Sequence, residues 1–348
     1  GTLPPSSTLW RNLIELILDF MSRFLVQFQS PALAFLVGGM LLAAFRSKLE
    51  IPDAIYQFCV FMLLMRIGLE GGLEIRDAEL ADMILPAFIA LIVGCGIVLI
   101  GCVVLAYLPG VKTEDAIATA GLFGAVSAST LAAAMLMLEE QAITYEAWVP
   151  ALYPFMDIPA LIVAIVLANV YLAKKKHGPK AKTKIWPIVT NSLRGSALSA
   201  LLLGLALGLF TNPEVVFESF YDPLFRGLLS VLMLIMGMEA YARLNELRKV
   251  AHWYAVYAAV APLVHGLIAF GLGYIAHVFT GFSPGGVILL AVMAGSSSDI
   301  SGPPTLRAAI PSANPAAYIG SSTSVGTPIA IAVGIPLYVA LAEAVFGL

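Results

Sequence analysis

Two short polar segments interrupt long apolar stretches of this 348-residue chain, and their residues are suited to binding ions. The first segment runs from Gly124 to Thr130, and the second runs from Gly295 to Pro304. Both combine glycine with hydroxyl side chains, and the second ends in two prolines. This composition is typical of a helix that stops and starts again. Each restart leaves free backbone N–H groups at a helix N-terminus, which attract an anion.

The two restarts can act on the same ligand. If the two interrupted helices run antiparallel, their second halves approach a common point from opposite sides, and both positive ends face that point. Neither segment contains lysine or arginine. Two helix ends ringed by serine and threonine hydroxyls suit a small planar oxyanion, whereas a fixed cation would hold the anion too tightly for release.

A cation needs oxygen ligands, and two carboxylates lie within the apolar stretches. Asp299 is part of the second polar segment, and Asp157 precedes Pro159 in the sequence YPFMDIPA. An ionised carboxylate inside a membrane is expensive and usually functional. Backbone carbonyls and nearby hydroxyls would complete a sodium site. The alternative for the serine runs is tight helix packing by small residues.

The elements that carry these residues are membrane helices. Hydrophobic residues make up 60% of the chain and charged residues only 12%, about half the charged fraction of a soluble protein. A spanning helix needs about 20 apolar residues. The sequence predicts an all-α integral membrane protein with ten transmembrane helices, at about 31–46, 52–70, 80–108, 114–137, 145–173, 186–210, 221–242, 251–279, 283–308 and 315–346. Spans four and nine carry the polar segments and are therefore predicted to be discontinuous.

The charge pattern predicts how the chain crosses the membrane. Residues 174–185 form a lysine-rich linker, and such loops are cytoplasmic. Alternate loops are then acidic and external, which places both termini outside. The lysines are either a solvated linker that sets this topology or a docking surface for a regulator. Residues 1–30 form an N-terminal lead and an amphipathic helix, or else an extension of the first span broken at Pro31.

The chain repeats itself in an inverted manner. LLMRIGLEGG from Leu63 matches LMLIMGMEAY from Leu232, GAVSAST matches GSSSDIS, and MDIPALIVA matches VGTPIAIAV, in the same order. Residues 31–173 and 186–348 therefore each form a five-helix repeat. Because five is odd, the second copy is inserted in the opposite direction, which is the inverted-repeat plan of secondary transporters.

Several other functions are disfavoured. His265 lies in the middle of a span, and helix packing is the better explanation for it than a proton relay. Asp157 and Asp299 could be imagined as the catalytic pair of an intramembrane protease, but nothing else in the sequence supports an activated water. G-x-S-x-G, P-loop and HExxH motifs do not occur. We expect no enzymatic activity and no nucleic-acid partner.

Longer strings carry a resemblance to a known family. These are GLFGAVSAST, EAWVPALYPFMDIPAL, YDPLFRGLLSVLMLIMGMEA, SSSDISGPPTLRA and IPSANPAAYIGSSTSVGTPIAI. From about Leu25 to the C-terminus the chain closely resembles the SbtA family of cyanobacterial sodium-dependent bicarbonate transporters. The resemblance implies high-affinity symport of bicarbonate with Na+ for a carbon-concentrating mechanism. It also implies a homotrimer in the plasma membrane, a core domain of spans 3–5 and 8–10, and a gate domain of spans 1, 2, 6 and 7.

The resemblance also suggests ligands and a partner. The motif match places the substrate site on both polar segments, and we assign bicarbonate to Gly124, Ser127, Ser129, Thr130, Ser298, Ser301 and Gly302. We assign sodium to Asp299, Asp157, Ser296, Ser298, Ser321 and Thr323. A PII-like protein, SbtB, inhibits this family from the cytoplasmic face. The linker between spans five and six is shorter here than in relatives of this family.

Two other functions remain open. A helix-dipole site is chemically generic, so the cargo could be another small anion such as a carboxylate or sulfate. The protein could also be a membrane sensor that binds SbtB-like partners without transport. The inverted repeat disfavours a sensor, because alternating access explains the duplication and sensing does not.

Overall fold

A computed structural model describes residues 31–146, 148–177, 196–250, 252–299 and 302–348, with isolated positions at 11, 14–15, 18, 186–187, 190 and 194. The predicted amphipathic helix, most of the lysine-rich linker, the start of the sixth span and Ser301 lie outside the described residues. In the described parts the chain is helical and contains no strand.

The main helices follow the predicted spans. Spans four and nine are divided by non-helical residues and span ten by π-helical turns, so that the described ranges contain thirteen α-helices of seven residues or more: α1 Pro31–Ala44, α2 Asp53–Asp77, α3 Leu80–Ala106, α4 Thr113–Gly124, α5 Ala128–Glu140, α6 Tyr153–His177, α7 Ser196–Phe210, α8 Asp222–Leu247, α9 Trp253–Thr280, α10 Pro284–Ala294, α11 Gly302–Ala309, α12 Pro315–Ser321 and α13 Ile335–Phe346. The interruptions predicted in spans four and nine are thus confirmed, between α4 and α5 and between α10 and α11.

Length and composition make this a multi-pass membrane protein. Among the described residues, six helical stretches are long and apolar enough to cross a bilayer, and three shorter helices are also apolar. The outer face of α3 leaves Ile84, Phe88 and Ile100 exposed, and α9 does the same with Val256 and Val260. Such contiguous apolar surface is unfavourable in water, so lipid is the natural solvent for these faces.

Helices α2 and α7 pack closely because both carry glycines four residues apart. A Cβ on Gly68 would lie 2.3 Å from the carbonyl oxygen of Leu201, and one on Gly72 would lie 2.3 Å from that of Leu205. In the other direction, a Cβ on Gly208 would lie 2.5 Å from the Leu69 oxygen. This is the small-xxx-small packing that lets membrane helices approach each other.

Helices α1 and α8 form a second close pair by the same means. A Cβ on Gly39 would lie 2.1 Å from the carbonyl oxygen of Leu234, and one on Gly237 would lie 2.0 Å from that of Leu36. Gly237 is the residue that the internal sequence match aligns with Gly68. The two glycine-mediated pairs hold α1, α2, α7 and α8 together.

The two short half-helices lie inside the protein rather than against lipid. Residues 114–124 of α4 are buried, and so are residues 285–294 of α10. Helices α3, α6 and α9 pack around them. This burial meets the condition for irregular backbone at membrane depth, because such backbone is tolerated only when protein or a cavity surrounds it.

Candidate functional site

The first interruption is a three-residue gap that ends in a helix cap. Helix α4 ends at Gly124, and a Cβ there would lie 2.4 Å from Val98 Cγ2, so close packing against α3 explains this glycine. Helix α5 then begins at Ala128. The Ser127 hydroxyl accepts a hydrogen bond from the Thr130 N–H at 3.1 Å. Serine at this position is the favoured way to start a helix, because it satisfies a free backbone donor.

The second interruption is longer, and a serine hydroxyl there also bonds to the first turn of the helix that follows. Helix α10 ends at Ala294, Gly295–Asp299 is not helical, and α11 begins at Gly302. The Ser298 hydroxyl accepts from the Gly302 N–H at 2.8 Å. The Ser298 N–H donates to the carbonyl oxygen of Leu122 in α4, also at 2.8 Å. The start of α11 is therefore fixed against the end of α4.

Asp299 joins the two interruptions. Its Oδ2 accepts a hydrogen bond from the Ser127 hydroxyl at 2.8 Å and another from the Ser129 hydroxyl. The Ser127 N–H donates to the Ser296 hydroxyl at 3.0 Å. The two serines of α5 and Ser296 have no exposed surface, and Asp299 is only 5% exposed. A carboxylate oxygen therefore occupies the positive N-terminal end of α5.

The other carboxylate oxygen of Asp299 has no partner. Asp299 Oδ1 is buried and makes no hydrogen bond to any described residue. Leaving an oxygen of a buried carboxylate unpaired is costly, so such an atom in a native site calls for an explanation, such as an ion. Asp299 thus presents one oxygen to the start of α5, while its other oxygen is left unpaired among the described residues.

Asp157 lies against the first interruption from the side. It is fully buried on α6, and its Oδ1 accepts from the Val126 N–H at 2.9 Å. The Tyr153 hydroxyl donates to the Val126 carbonyl oxygen at 3.3 Å. Two side chains of one helix therefore satisfy both backbone groups of Val126, a residue inside the gap. This contact lets irregular backbone persist in the protein interior.

One comparison decides the family. The model of the Na+-dependent bicarbonate transporter superfamily matches residues 31–343, which include both interruptions and all residues of the site. The chain belongs to this superfamily. It is accordingly a sodium-dependent bicarbonate transporter and not an enzyme, and Na+ is its co-transported ion. A search of curated proteins gives no match.

In this bicarbonate transporter the tenth span also reaches the site. Between α12 and α13 the helix widens twice into π-helical turns, at Ser322–Gly326 and Ala330–Gly334. The Ser322 hydroxyl lies 2.7 Å from that of Ser297 in the second interruption. Ser321 instead donates to the Tyr318 carbonyl oxygen of its own helix at 3.3 Å. π-Bulges are frequent at functional sites, because they turn side chains out of the regular helical register.

The predicted site residues therefore separate into groups. The structure brings together Ser127, Ser129, Thr130, Ser296 and Asp299, which one hydrogen-bond network connects. Ser298 accepts a hydrogen bond from the N–H of Gly302, the first residue of α11, and Thr323 is buried within the first π-helical turn.

Sequence reasoning included Ser322 in the tenth-span hydroxyl run Ser321–Ser324 that could bind sodium, but it did not predict the pair that Ser322 forms with the Ser297 hydroxyl. It missed two aromatic residues: Tyr153 supports Val126, and the Tyr56 hydroxyl lies 3.5 Å from the carbonyl oxygen of Asp299. The serines belong to polar runs that were recognised, so their involvement was within reach. Nothing distinguishes Tyr56 or Tyr153 from other aromatic residues in an apolar stretch, because their contacts are long-range.

Proposed function

We propose that the protein is a symporter that imports bicarbonate together with Na+ by alternating access. The observation that carries this proposal is the asymmetric environment of Asp299, with Oδ2 at the start of α5 and Oδ1 buried without a partner. A sodium ion bound at Oδ1 would supply the missing partner. Oxygen ligands suit such a hard cation, and serine hydroxyls and backbone carbonyls of the interruption are close by in the chain.

The sodium ligands in this proposal are Asp299 with the hydroxyls of Ser296 and Ser298. Ser321 and Thr323 belong to the neighbouring buried segment of the tenth span and remain candidates. Asp157 makes its observed bond to Val126, and we assign it the role of holding the first interruption in place. In that role it positions the hydroxyls of α5 without binding the cation itself.

Coupling follows from competition for the start of α5. Bicarbonate is a planar oxyanion with the same O–C–O arrangement as a carboxylate. Without Na+, the Asp299 carboxylate holds the hydroxyls of Ser127 and Ser129 that bicarbonate would use. A sodium ion draws the charge of Asp299 to itself and releases these donors. Sodium therefore binds first, and bicarbonate follows at Ser127, Ser129 and Thr130. Ser298, Ser301 and Gly302 remain the other proposed bicarbonate ligands.

The membrane potential explains why the two ions travel together. Moving one elementary charge across the membrane is worth about 2.3 kcal/mol per 100 mV, and an anion that enters an inside-negative cell works against this potential. One co-transported Na+ cancels the charge and adds the energy of its own gradient. The two ions also neutralise each other while they are buried, which lowers the penalty for removing them from water.

The helix pairs support two inverted five-helix repeats. In such a repeat spans 1 and 2 correspond to spans 6 and 7, so a contact between spans 1 and 7 should have a counterpart between spans 6 and 2. The close pairs α1–α8 and α2–α7 fit these two contacts. We propose that these four helices are the gate domain. The core domain, spans 3–5 and 8–10, would then carry both interruptions. Relative movement of core and gate would expose the site to one side at a time.

The wider setting comes from the family resemblance and the charge pattern. We propose a homotrimer in the plasma membrane, with both termini outside and the lysine-rich linker in the cytoplasm, where SbtB would dock. Bicarbonate imported in this way would supply a carbon-concentrating mechanism. The acidic loops, including Glu139 and Glu140 at the end of α5, would face the outside.

Uptake of labelled bicarbonate into proteoliposomes tests the proposal. We expect accumulation with an inward Na+ gradient and loss of accumulation when K+ replaces Na+. Equal uptake in K+ would refute sodium coupling, and binding without flux would favour a sensor. Excess unlabelled formate, acetate or sulfate should leave uptake unchanged. Strong competition by one of them would identify a different anion as the cargo.

A further inference from the structure

A large cavity lies between the glycine-paired helices and the second half of the fourth span. Its volume is about 1030 Å³, and residues of α2, α5, α8 and the tenth span line it. Ala132 and Ala133 of α5 form part of its wall, directly after the first turn that contains Ser129 and Thr130. Those two hydroxyl residues have no exposed surface. The cavity therefore reaches the neighbourhood of the site without opening into it.

Arg66 is a mostly buried cation in the wall of this cavity. Its side chain is 11% exposed and lies on α2. One end of the guanidinium pairs with Glu70, one turn further along the same helix, and Nη2 donates to Asp222 Oδ1 at 2.7 Å. The ring centroids of Phe225 and Phe217 lie 4.3 and 5.7 Å from its Cζ. Aromatic faces and Glu70 together fix the guanidinium in place.

The charge of the cavity makes Arg66 important for an anion. Among the described residues, the carboxylates of Glu70, Glu139, Glu140 and Asp222 line it, against the guanidiniums of Arg66 and Arg226. The surplus of negative charge attracts Na+ and repels bicarbonate. Arg226 is exposed at this surface, where solvent screens its charge. Arg66, shielded from water, offers an anion the stronger local attraction.

The two partners of Arg66 differ in how easily they can be replaced. The Glu70 side chain is 19% exposed, whereas that of Asp222 is 49% exposed. A guanidinium presents donors that match a planar oxyanion, so the position of the Asp222 carboxylate also suits bicarbonate. Asp222 can turn into solvent when an anion arrives, while Glu70 continues to anchor the arginine.

We propose that Arg66 is a loading site where bicarbonate displaces Asp222 before it reaches the helix interruptions. This inference rests on the proposed function and orientation, because it makes the cavity the outer access route. Asp222 then acts as a tethered competitor for Arg66. The loading site raises the local anion concentration in a cavity whose net charge would otherwise exclude bicarbonate.

Opposite effects of two substitutions test this proposal. In cells that express the transporter, Arg66→Gln should raise the KM for external bicarbonate by about tenfold, the size expected for loss of one charge-assisted hydrogen bond. Arg66→Lys should raise it less, since the charge stays but the planar donor pair is lost. Asp222→Asn should lower the KM, because the competitor is removed. A purely structural ion pair predicts that all three variants impair uptake.

Arg76 provides the matched control. It lies on α2, and its Nη2 is 2.5 Å from Oε1 of Glu214 in the segment before α8. It is not part of the cavity wall. Arg76→Gln should leave the KM for bicarbonate unchanged. Three results would each overturn the proposal. The KM could be raised in Arg76→Gln as much as in Arg66→Gln, it could be unchanged in Arg66→Gln, or it could be raised in Asp222→Asn.

The experiment also separates this inference from the proposed function. If wild-type cells show no sodium-dependent bicarbonate uptake, the proposed function fails. If they show such uptake but the Arg66 and Asp222 variants do not shift the KM in opposite directions, only the loading site fails. Should Arg66→Gln reach the membrane in too small an amount, Asp222→Asn still decides the question, because its predicted effect is a gain in apparent affinity.

Discussion

The two helix interruptions occupy corresponding places in the two halves of the chain, yet their chemistry differs. The first has three non-helical residues, Ala125–Ser127, and no carboxylate of its own. Its backbone is held by Asp157 from a neighbouring helix. The second is longer and contains Asp299, which extends to the hydroxyls of the first. One interruption thus provides hydroxyl donors in a fixed frame, and the other provides the charge.

Under the proposed function, this difference would let two similar interruptions bind two unlike ions. Two identical interruptions would offer two positive helix ends, which suit anions only. Placing a carboxylate in one of them adds a cation ligand without changing the fold. In both interruptions a serine hydroxyl accepts a backbone hydrogen bond from the first turn of the helix that follows, Ser127 from Thr130 and Ser298 from Gly302.

Replacing Asp299 should have the largest effect. Asp299→Asn keeps the size of the side chain but removes its charge, so the sodium ligand at Oδ1 becomes neutral. We expect the sodium affinity to fall about 10- to 100-fold, as for loss of a charged contact of about 1.5–3 kcal/mol. Bicarbonate uptake at ordinary Na+ concentrations should fall close to background. Uptake as a function of Na+ concentration measures both effects.

Thermal unfolding in detergent provides the control for this variant. Na+ should raise the midpoint of the wild-type protein, because a ligand that binds the folded state stabilises it. The midpoint of Asp299→Asn should respond only at about 10- to 100-fold higher Na+ concentrations, although the variant folds. A normal response of Asp299→Asn to Na+ would show that the sodium site lies elsewhere.

Asp157 should behave differently from Asp299, with a smaller loss of function. Its carboxylate accepts from the Val126 N–H, and an asparagine oxygen can accept the same bond. Asp157→Asn should therefore keep uptake within a few-fold of wild type. Asp157→Ala leaves a buried N–H unpaired and should lower the free energy of unfolding by about 1–3 kcal/mol. A reduced sodium affinity in Asp157→Asn, matching that of Asp299→Asn, would instead identify it as a ligand.

Local sequence signals were enough to predict much of this architecture. Apolar length and charge indicated membrane helices, and glycine, serine and proline marked where α4 and α10 end. These features depend on neighbours in the chain, since caps and breaks are set within a few residues. Asp299 stood out for a similar reason, because a carboxylate within an apolar stretch is conspicuous at any position.

Contacts between distant segments were not visible in the same way. The assignment of Asp157 to sodium stays a prediction, but its hydrogen bond to a backbone N–H 31 residues away was not foreseen. Sequence can indicate that a buried carboxylate needs a partner without indicating which one. The π-helical turns after α12 likewise decide that Ser322, rather than Ser321, faces the second interruption. A change of register within a helix leaves no clear trace in composition.

The adjacent serines of the tenth span give the smallest and most selective test. Ser322→Ala removes the hydroxyl that lies 2.7 Å from the Ser297 hydroxyl. Loss of this hydrogen bond should destabilise the second interruption by about 1 kcal/mol. We expect uptake to fall a few-fold. Ser321→Ala removes a bond to a carbonyl of its own helix and should have less effect, since that contact does not reach the interruption. If Ser321→Ala is the more damaging change, Ser321 contributes to ion binding directly, and the second interruption relies less on Ser322 than its hydrogen bond indicates.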